Sequence, residues 1–238
     1  MKFLLLLLLF HCMVLAANHN ALRTITFSTY SNVRIHNLAY HTNLDIYHTR
    51  PQTNAPDQRI QTHRLTLMGP YTFTGGQTVS FTDLETSQCV ARIEVPNDSD
   101  EWLFIFVPSS LKPKPTEPDL HYWIYPFNDS TKHLPKNRLR FLNLSGKVLE
   151  GFVGTQRVQL PLGESNLFSI QRKLPIHLWT YSDRNRKPVP AHMKDYTFRT
   201  NYRYLILFFP PVLSGSADLD VRCLSDDDST RANRSSLN

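Results

Sequence analysis

The sequence contains little glycine, with 8 glycines against 16 prolines in a chain of 238 residues. Because proline ends strands and fixes loops, this balance favours many short extended elements over long helices. Beyond the amino-terminal region, no segment shows the three-to-four-residue apolar spacing of an amphipathic helix. We therefore predict an all-β protein.

Motifs for catalysis and cofactor binding are also missing. The sequence has no Gly-x-Ser-x-Gly nucleophile elbow, no zincin pattern and no glycine loop that could cradle a phosphate. His36, His41 and His48 have spacings of five and seven residues, which do not let one element present two metal ligands. Catalytic groups can also come from distant segments, so an enzyme is disfavoured rather than excluded. We predict no catalytic residue, metal or cofactor.

Long apolar runs are confined to the amino terminus. Lys2 precedes a run of leucines from Leu4 to Leu9, and Val14-Leu15-Ala16 has the small residues of a signal-peptidase site. An apolar stretch of roughly 14 residues is short for a bilayer-spanning helix, although a membrane anchor is the alternative. We expect residues 1–16 to be a signal peptide that is cleaved after Ala16. The mature chain is then exported, periplasmic or extracellular, with no transmembrane segment.

The formal net charge is +6, which promotes contact with anionic surfaces. The densest basic stretch is Arg184-Asn185-Arg186-Lys187, directly after Asp183. It is either a contact for phosphate, lipid headgroups or acidic glycans, or a solvated loop, and the loop is the favoured interpretation. No nucleic-acid-binding motif accompanies it, so we expect no nucleic acid partner.

Short segments along the mature chain alternate apolar and polar residues with a period of two. Arg23–Phe27, Leu44–Tyr47 and Cys89–Ile93 are examples, and turn residues separate them. Trp102–Val107 and Tyr204–Phe209 are apolar throughout, which is typical of central strands covered on both faces. This pattern indicates a β-sandwich or a barrel.

Four segments of the first part of the chain match segments of the second part, in the same order. The matches are Val33–Ala39 with Leu139–Ser145, Gln58–Gln61 with Gln156–Gln159, Val79–Asp83 with Trp179–Asp183, and Leu103–Pro108 with Leu205–Pro210. We interpret them as the trace of an internal duplication. Each repeat has the size of an immunoglobulin-like sandwich.

The duplication predicts the domain organisation. We expect a first β-sandwich repeat at 22–110, a Pro-rich linker at 111–119 and a second repeat at 120–224. The tail 225–238 is polar and is expected to be disordered. We expect limited proteolysis to cut the linker and to release two stable fragments.

One predicted strand of the second repeat carries the candidate binding residues. Alternation places His177, Trp179, Tyr181 and Asp183 on one face, next to the basic residues Arg184, Arg186 and Lys187. This face could stack on a sugar and offer it a carboxylate. The matched segment of the first repeat has Val79 and Phe81 in place of the two aromatic residues, which instead favours an interpretation in which Trp179 and Tyr181 fill the core.

Two further pairs of residues have simple structural interpretations. Asn37 and Asn143 follow the matched arginines Arg34 and Arg140, and each asparagine is expected to close the turn after its strand. Cys89 and Cys223 are the cysteines of the mature chain. In an oxidising compartment they either form a disulfide or remain as two buried thiols.

The segment Asn32–Tyr47 resembles the opening of uncharacterised secreted β-sandwich domains from bacteria. In those domains an Arg-containing strand and an Asn-containing turn precede an Asp-x-Tyr strand, here Asp45-Ile46-Tyr47. The second repeat differs and has Glu150-Gly151-Phe152 at the matching place. The resemblance implies an envelope or extracellular module and no catalytic residues.

We therefore predict two tandem immunoglobulin-like units in an exported protein that binds or scaffolds an unknown protein or glycan partner in the envelope. One alternative is a hydrolase of extracellular polymers, with paired carboxylates drawn from Asp83, Glu101 and Asp183. The other is a structural subunit of a surface assembly, which would need an exposed apolar strand edge.

Overall fold

The computed structural model describes residues 23–31, 43–48, 56–62, 67–75, 78–111, 120–182, 186–211 and 216–226. These residues form β-strands joined by turns, with one short 3-10 helix at Ser109–Leu111 and no α-helix in the described part. The prediction of an all-β protein is confirmed. No helix among these residues has the length and apolar character needed to span a membrane.

The strands fall into two halves of the chain. The first half contains β1 (Arg23–Ser31), β2 (Asn43–His48), β3 (Pro56–Gln61), β4 (Met68–Gly75), β5 (Thr78–Asp83), β6 (Cys89–Glu94), β7 (Glu101–Pro108) and β8 (Tyr122–Asn128). The second half contains β9 (Arg138–Asn143), β10 (Leu149–Val153), β11 (Gln156–Leu160), β12 (Gly163–Glu164), β13 (Phe168–Ser169), β14 (Lys173–Tyr181), β15 (Pro188–Thr197), β16 (Arg203–Phe209) and β17 (Asp220–Asp226).

Each half forms two sheets. In the first half, sheet A has the strand order β4-β1-β7-β8 and sheet B has the order β3-β2-β5-β6. In the second half, sheet C has the order β12-β9-β16-β17, with β13 also paired to β9, and sheet D has the order β11-β10-β14-β15. Sheets A and C each contain one parallel pair, β1 with β7 and β9 with β16, while the other pairs are antiparallel.

After their first residues, Glu101 and Arg203, strands β7 and β16 are apolar and both of their faces are covered, as the sequence predicts. Every residue of β16 and all of β7 after Glu101 are buried. Alternate residues of β7, such as Phe104, pack in the core between sheets A and B, and Ile206 of β16 packs in the core between sheets C and D. Each large apolar side chain buried in this way stabilises the fold by about 1.5–3 kcal/mol.

The remaining residues of β7 and β16 form a third core, between sheets A and C. This central core contains Leu103, Ile105, Val107 and Phe127 of sheet A, Leu134 from the β8–β9 connection, and Leu142, Leu205, Leu207, Phe209 and Leu224 of sheet C. The four sheets are therefore layered in the order B, A, C, D. The two halves share a continuous apolar interface.

When strands are assigned to the halves by the sheet they belong to, the boundary between the halves lies after β8. The sequence-based division placed this strand in the second repeat, beyond the linker at 111–119. In the structure β8 pairs antiparallel with β7 from Trp102↔Asn128 to Pro108↔Tyr122 and completes sheet A. The apolar face of β8 contributes Phe127 to the central core, which explains why it stays with β7.

Asn143 closes the turn after β9, as predicted. Its side chain is buried, and its amide nitrogen donates to the backbone oxygens of Lys147 at 2.8 Å and Leu160 at 3.1 Å. Its amide oxygen accepts hydrogen bonds from the backbone nitrogen and the hydroxyl of Ser145. Arg34 and Asn37, the matched residues of the first repeat, lie outside the described residues, as do the segment Val33–Ala39 and the tail 227–238.

Cys89 and Cys223, the cysteines of the described residues, are free thiols. Cys89 lies on β6 of sheet B, and Cys223 lies on β17 of sheet C. Sheet A separates these two sheets, and packed sheets are about 10 Å apart. The layering therefore keeps the two thiols apart.

Candidate functional site

Strand β14 turns one face to the core of the second half and the other face outward. Leu174, Ile176, Leu178 and Thr180 are buried, while the alternate residues from Lys173 to Tyr181 are partly or fully exposed. The three candidate residues His177, Trp179 and Tyr181 all lie on this outward face of sheet D. We call the surface the outer face of sheet D.

The interpretation in which Trp179 and Tyr181 fill the core is wrong. The Tyr181 side chain is 48% exposed, and Trp179 is only partly buried. The apolar residues Leu174, Ile176 and Leu178 fix which face of β14 points inward, and side chains one position away must point outward. Val79, the residue matched to Trp179 in the first repeat, is fully buried.

Phe152 of β10 completes an aromatic cluster with these two residues. Its side chain is 43% exposed, and its ring meets the Trp179 ring edge-on, with centroids 6.4 Å apart and an interplanar angle of 87°. The preceding residue must be glycine, because a Cβ at Gly151 would lie 2.0 Å from the backbone oxygen of His177. Gly151 thus lets β10 approach β14 closely and places Phe152 beside Trp179.

A carboxylate lies in the middle of the cluster. Glu150 is opposite Trp179 on β14 and opposite Gln159 on β11. Its two oxygens accept hydrogen bonds from the Gln159 amide nitrogen at 3.1 Å and from the Tyr181 hydroxyl at 3.2 Å. These bonds fix the orientation of the carboxylate and leave its other lone pairs open to solvent.

The cluster lines a shallow pocket of about 180 Å³. The residues around this pocket are Glu150, Gly151, Phe152, Arg157, Trp179, Tyr181 and Pro188. Arg157 stands opposite Phe152 on the edge strand β11 and is exposed. The apolar surface continues onto β15, where Pro190 is opposite Trp179 and Met193 is opposite His177.

The turn between β14 and β15 brings two of the predicted basic residues next to Tyr181. The backbone nitrogen of Ser182 donates to the oxygen of Lys187, and that of Arg186 donates to the oxygen of Ser182, each at 2.9 Å. Arg186 and Lys187 are both exposed. Asp183 and Arg184 lie outside the described residues.

His177 lies at the other end of the outer face. Its Nε2 is 3.7 Å from a carboxylate oxygen of Asp195, and the two side chains are 45% and 81% exposed. A polar contact between two side chains this exposed contributes little to stability.

The carboxylates considered for a hydrolase are spread over different sheets. Asp83 ends β5 of sheet B, and its Oδ1 accepts hydrogen bonds from the backbone nitrogens of Glu85 and Thr86 and from the Thr86 hydroxyl. This carboxylate therefore caps a turn. Glu101 begins β7 of sheet A. Neither lies on the outer face of sheet D.

The described residues contain no group of three or more His, Cys, Asp or Glu side chains that could hold a metal ion. A second pocket, of about 350 Å³, lies beyond β11 and is lined by that strand and by residues 161 and 164–168. Arg157 borders both pockets. Comparison of the chain with models of known protein families and with curated proteins finds no match.

Proposed function

We propose that the protein is an exported binding protein that holds its partner on the outer face of sheet D. The observation that carries this proposal is the exposed aromatic cluster of Phe152, Trp179 and Tyr181 around the Glu150 carboxylate. Large aromatic side chains clustered on a surface lose little entropy when they are covered, and contact surfaces are enriched in them. A surface that serves only as a solvated exterior would favour polar residues at these positions.

The shape of the surface favours binding over catalysis. The pocket is shallow, and its one carboxylate, Glu150, is tied to Gln159 and Tyr181. Acid–base hydrolysis of a polymer needs two carboxyl groups on opposite sides of the bond that is cut. Glu150 is the only carboxylate among the residues that line this pocket.

The test compares binding of purified protein to envelope material of the producing cell, measured by cosedimentation. The double variant Phe152→Ala/Trp179→Ala is expected to lower the bound fraction at least ten-fold. Leu162→Ala is the control, because Leu162 is an apolar residue 54% exposed outside this face. Equal sedimentation of the double variant and the control would overturn the proposal.

Export is the second part of the proposed function. It is supported by the apolar run after Lys2 and the Val14-Leu15-Ala16 site. Amino-terminal sequencing of protein recovered outside the cytoplasm is expected to begin at Ala17. An intact Met1 on that material would contradict cleavage.

We also propose that the halves are two immunoglobulin-like units related by duplication. The support is their common strand order, since β9, β10, β11, β14, β15, β16 and β17 take the places of β1, β2, β3, β5, β6, β7 and β8. Three matched segment pairs fall on such corresponding strands. Leu103–Pro108 with Leu205–Pro210 and Gln58–Gln61 with Gln156–Gln159 are two of them. The third joins Val79 of β5 to Trp179 of β14, where the first residue is buried and the second points outward. A sequence profile built from relatives of residues 23–128 should detect residues 138–226, and its failure would contradict a duplication.

A further inference from the structure

We infer that the partner held on the outer face of sheet D is a second copy of this chain, packed on the same face; this inference rests on the proposed binding function. Phe152, Tyr181 and Met193 are 43%, 48% and 43% exposed on this face, and the partly buried Trp179 lies beside Phe152. Interfaces between identical subunits are more apolar than other surfaces, and protein interfaces are enriched in aromatic residues and methionine. A broad sheet face with only a shallow pocket suits a second sheet better than a small ligand.

The edges of the face carry opposite charges. Arg157 lies on β11, one edge strand of sheet D, and Asp195 lies on β15, the other edge strand. Both side chains are exposed. Through the strand pairings Arg157 is level with Met193, and Asp195 is two residues beyond Met193, about 6.6 Å further along the strand. A two-fold axis parallel to the strands, midway between β10 and β14, exchanges the two edges. It therefore brings Arg157 of each copy close to Asp195 of the other.

The centre of the face is self-complementary about the same axis. Glu150 of β10 and Trp179 of β14 are paired at one level, on either side of the axis. The axis therefore places Glu150 of each copy opposite Trp179 of the other. The indole N–H of Trp179 is a donor only, and the Glu150 carboxylate keeps acceptor sites beyond its bonds from Gln159 and Tyr181. Two equivalent N–H···O bonds at the centre offset the cost of covering the two carboxylates.

The charges favour this axis over a two-fold axis that crosses the strands. A crossing axis faces each edge strand with its own equivalent. Arg157 would then share an edge with the other copy's Arg157, and Asp195 with the other copy's Asp195, and like charges repel. The exposed cations Lys173 and Arg186 lie at or beyond the two ends of β14, on the rim of the face, where salt screens them.

The face is large enough for a dimer. It is four strands wide, and β14 and β15 are nine and ten residues long. With strands about 4.8 Å apart and a rise of about 3.3 Å per residue, and with allowance for the shorter β10 and β11, the face covers about 500 Å². Two copies thus cover about 1,000 Å² before the relief of the side chains is added, which is the lower limit for a specific interface. The expected dimer is therefore a reversible one.

The experiment is sedimentation-velocity ultracentrifugation of the mature chain from about 1 μM to about 1 mM, a range that brackets the affinity of a small interface. We expect a monomer–dimer equilibrium. The double variant Phe152→Ala/Trp179→Ala should weaken it about ten-fold or more, because both copies lose their central contacts. Leu167→Ala is the control, because Leu167 is an apolar residue of the β12–β13 connection that is 36% exposed, and it should dimerise as wild type.

A charge exchange tests how the two copies are arranged. Asp195→Arg places a cation close to the other copy's Arg157 and should weaken the dimer about five-fold. The double variant Arg157→Asp/Asp195→Arg restores opposite charges in both contacts and should recover most of the wild-type affinity. Glu94→Arg is the matched control, because Glu94 is an exposed carboxylate on β6 of the other half, and it should leave association unchanged. A double variant that associates no more tightly than Asp195→Arg would overturn the two-fold arrangement.

These measurements separate the inference from the proposed function. Envelope material of the producing cell carries resident copies of an exported chain, so cosedimentation reports on the same contact. A monomer at every concentration, or a dimer that Phe152→Ala/Trp179→Ala does not weaken, overturns the second copy as the partner. If cosedimentation still depends on Phe152 and Trp179 in that case, the binding face stands and holds a different partner. If the aromatic variant changes neither dimerisation nor cosedimentation, both proposals fail.

Discussion

Arg203 and Asp129 join the two halves of the protein through a buried ion pair. One guanidinium nitrogen of Arg203, at the start of β16, lies 2.9 Å from an Asp129 carboxylate oxygen, and another donates to the Asp129 backbone oxygen at 2.6 Å. The same guanidinium is 2.9 Å from Asp226 at the end of β17. The side chains of Arg203, Asp129 and Asp226 are 5%, 16% and 9% exposed. Asp129 directly follows β8, so this cluster ties sheet A to sheet C at one end of the central core.

Replacing Arg203 is expected to destabilise the whole molecule. The variant Arg203→Met keeps most of the volume but leaves two nearly buried carboxylates without their cation, which costs about 3–5 kcal/mol. Urea unfolding followed by circular dichroism measures the loss. Arg199→Met is the control, because Arg199 is exposed, and it should change stability by less than about 0.5 kcal/mol. A loss below about 1 kcal/mol for Arg203→Met would show that this cluster does not hold the halves together.

A chain cut between residues 112 and 119 is expected to remain one particle. Such a cut separates β7 from β8, yet the two strands pair along seven positions from Trp102↔Asn128 to Pro108↔Tyr122. The central core also buries leucines from both fragments, such as Leu103 and Leu205. Protease-treated protein should therefore give two bands on a denaturing gel and a single peak in native size exclusion.

The outcome of that cut decides between a shared core and separable units. The linker prediction at 111–119 implies two fragments that are each stable alone. Fragments that elute separately without denaturant would support that prediction and would contradict a continuous core between sheets A and C. Adding urea to the nicked protein is the control, and it should separate the fragments.

The sequence predicted the fold class well, because the all-β pattern and the covered strands β7 and β16 are local properties. It did not predict the outward direction of Trp179. The matched segments paired Trp179 with the buried Val79, and an error of one position in the phase of a strand exchanges its two faces. The spacing of Leu174, Ile176 and Leu178 by itself indicates which face of β14 is buried.

Phe152 was missed for a related reason. Leu149, Gly151 and Val153 alternate with Glu150 and Phe152, so the local pattern already places Glu150 and Phe152 on the outer side of β10. A local sequence pattern does not show which strand lies beside β10. The pairing of β10 with β14 and the packing of sheet A on sheet C depend on contacts between residues far apart in the chain.

Both cysteines are expected to remain reduced after folding under oxidising conditions. Cys89 and Cys223 lie in sheets B and C, which sheet A separates, and a disulfide needs Cα atoms within about 7 Å of each other. Alkylation in denaturant followed by mass spectrometry should find both Cys89 and Cys223 modified. A crosslinked peptide that contains both residues would contradict the layering of the sheets, and the double variant Cys89→Ser/Cys223→Ser controls for artefactual labelling.

His192 is a neutral histidine in the second half of the molecule. Its Nε2 is 3.1 Å from the Tyr196 hydroxyl, and its ring meets the Phe208 ring edge-on at a centroid distance of 5.7 Å. Burial of the ring, together with the smaller effects of the nearby charges of Lys194 and His177, lowers the pKa of His192 from 6.5 to about 4. The folded protein therefore binds this proton less readily than the unfolded chain does.

Acidification is expected to destabilise the protein through His192 between pH 6.5 and pH 4. In that window the unfolded chain binds a proton at this histidine and the folded protein does not, so the free energy of unfolding falls as the pH falls. Above pH 6.5 the imidazole is neutral in both states, and its contribution to the free energy of unfolding is constant. The difference in unfolding free energy between pH 7 and pH 4.5, measured in urea, should be smaller for His192→Gln than for wild type. The wild type and the variant share all other titrating groups, so the comparison cancels their contributions. In a separate NMR titration, the histidine signal that is absent from the spectrum of the variant is assigned to His192. A midpoint near 6.5 for that signal, or an unchanged pH dependence in the variant, would contradict a desolvated imidazole at this position.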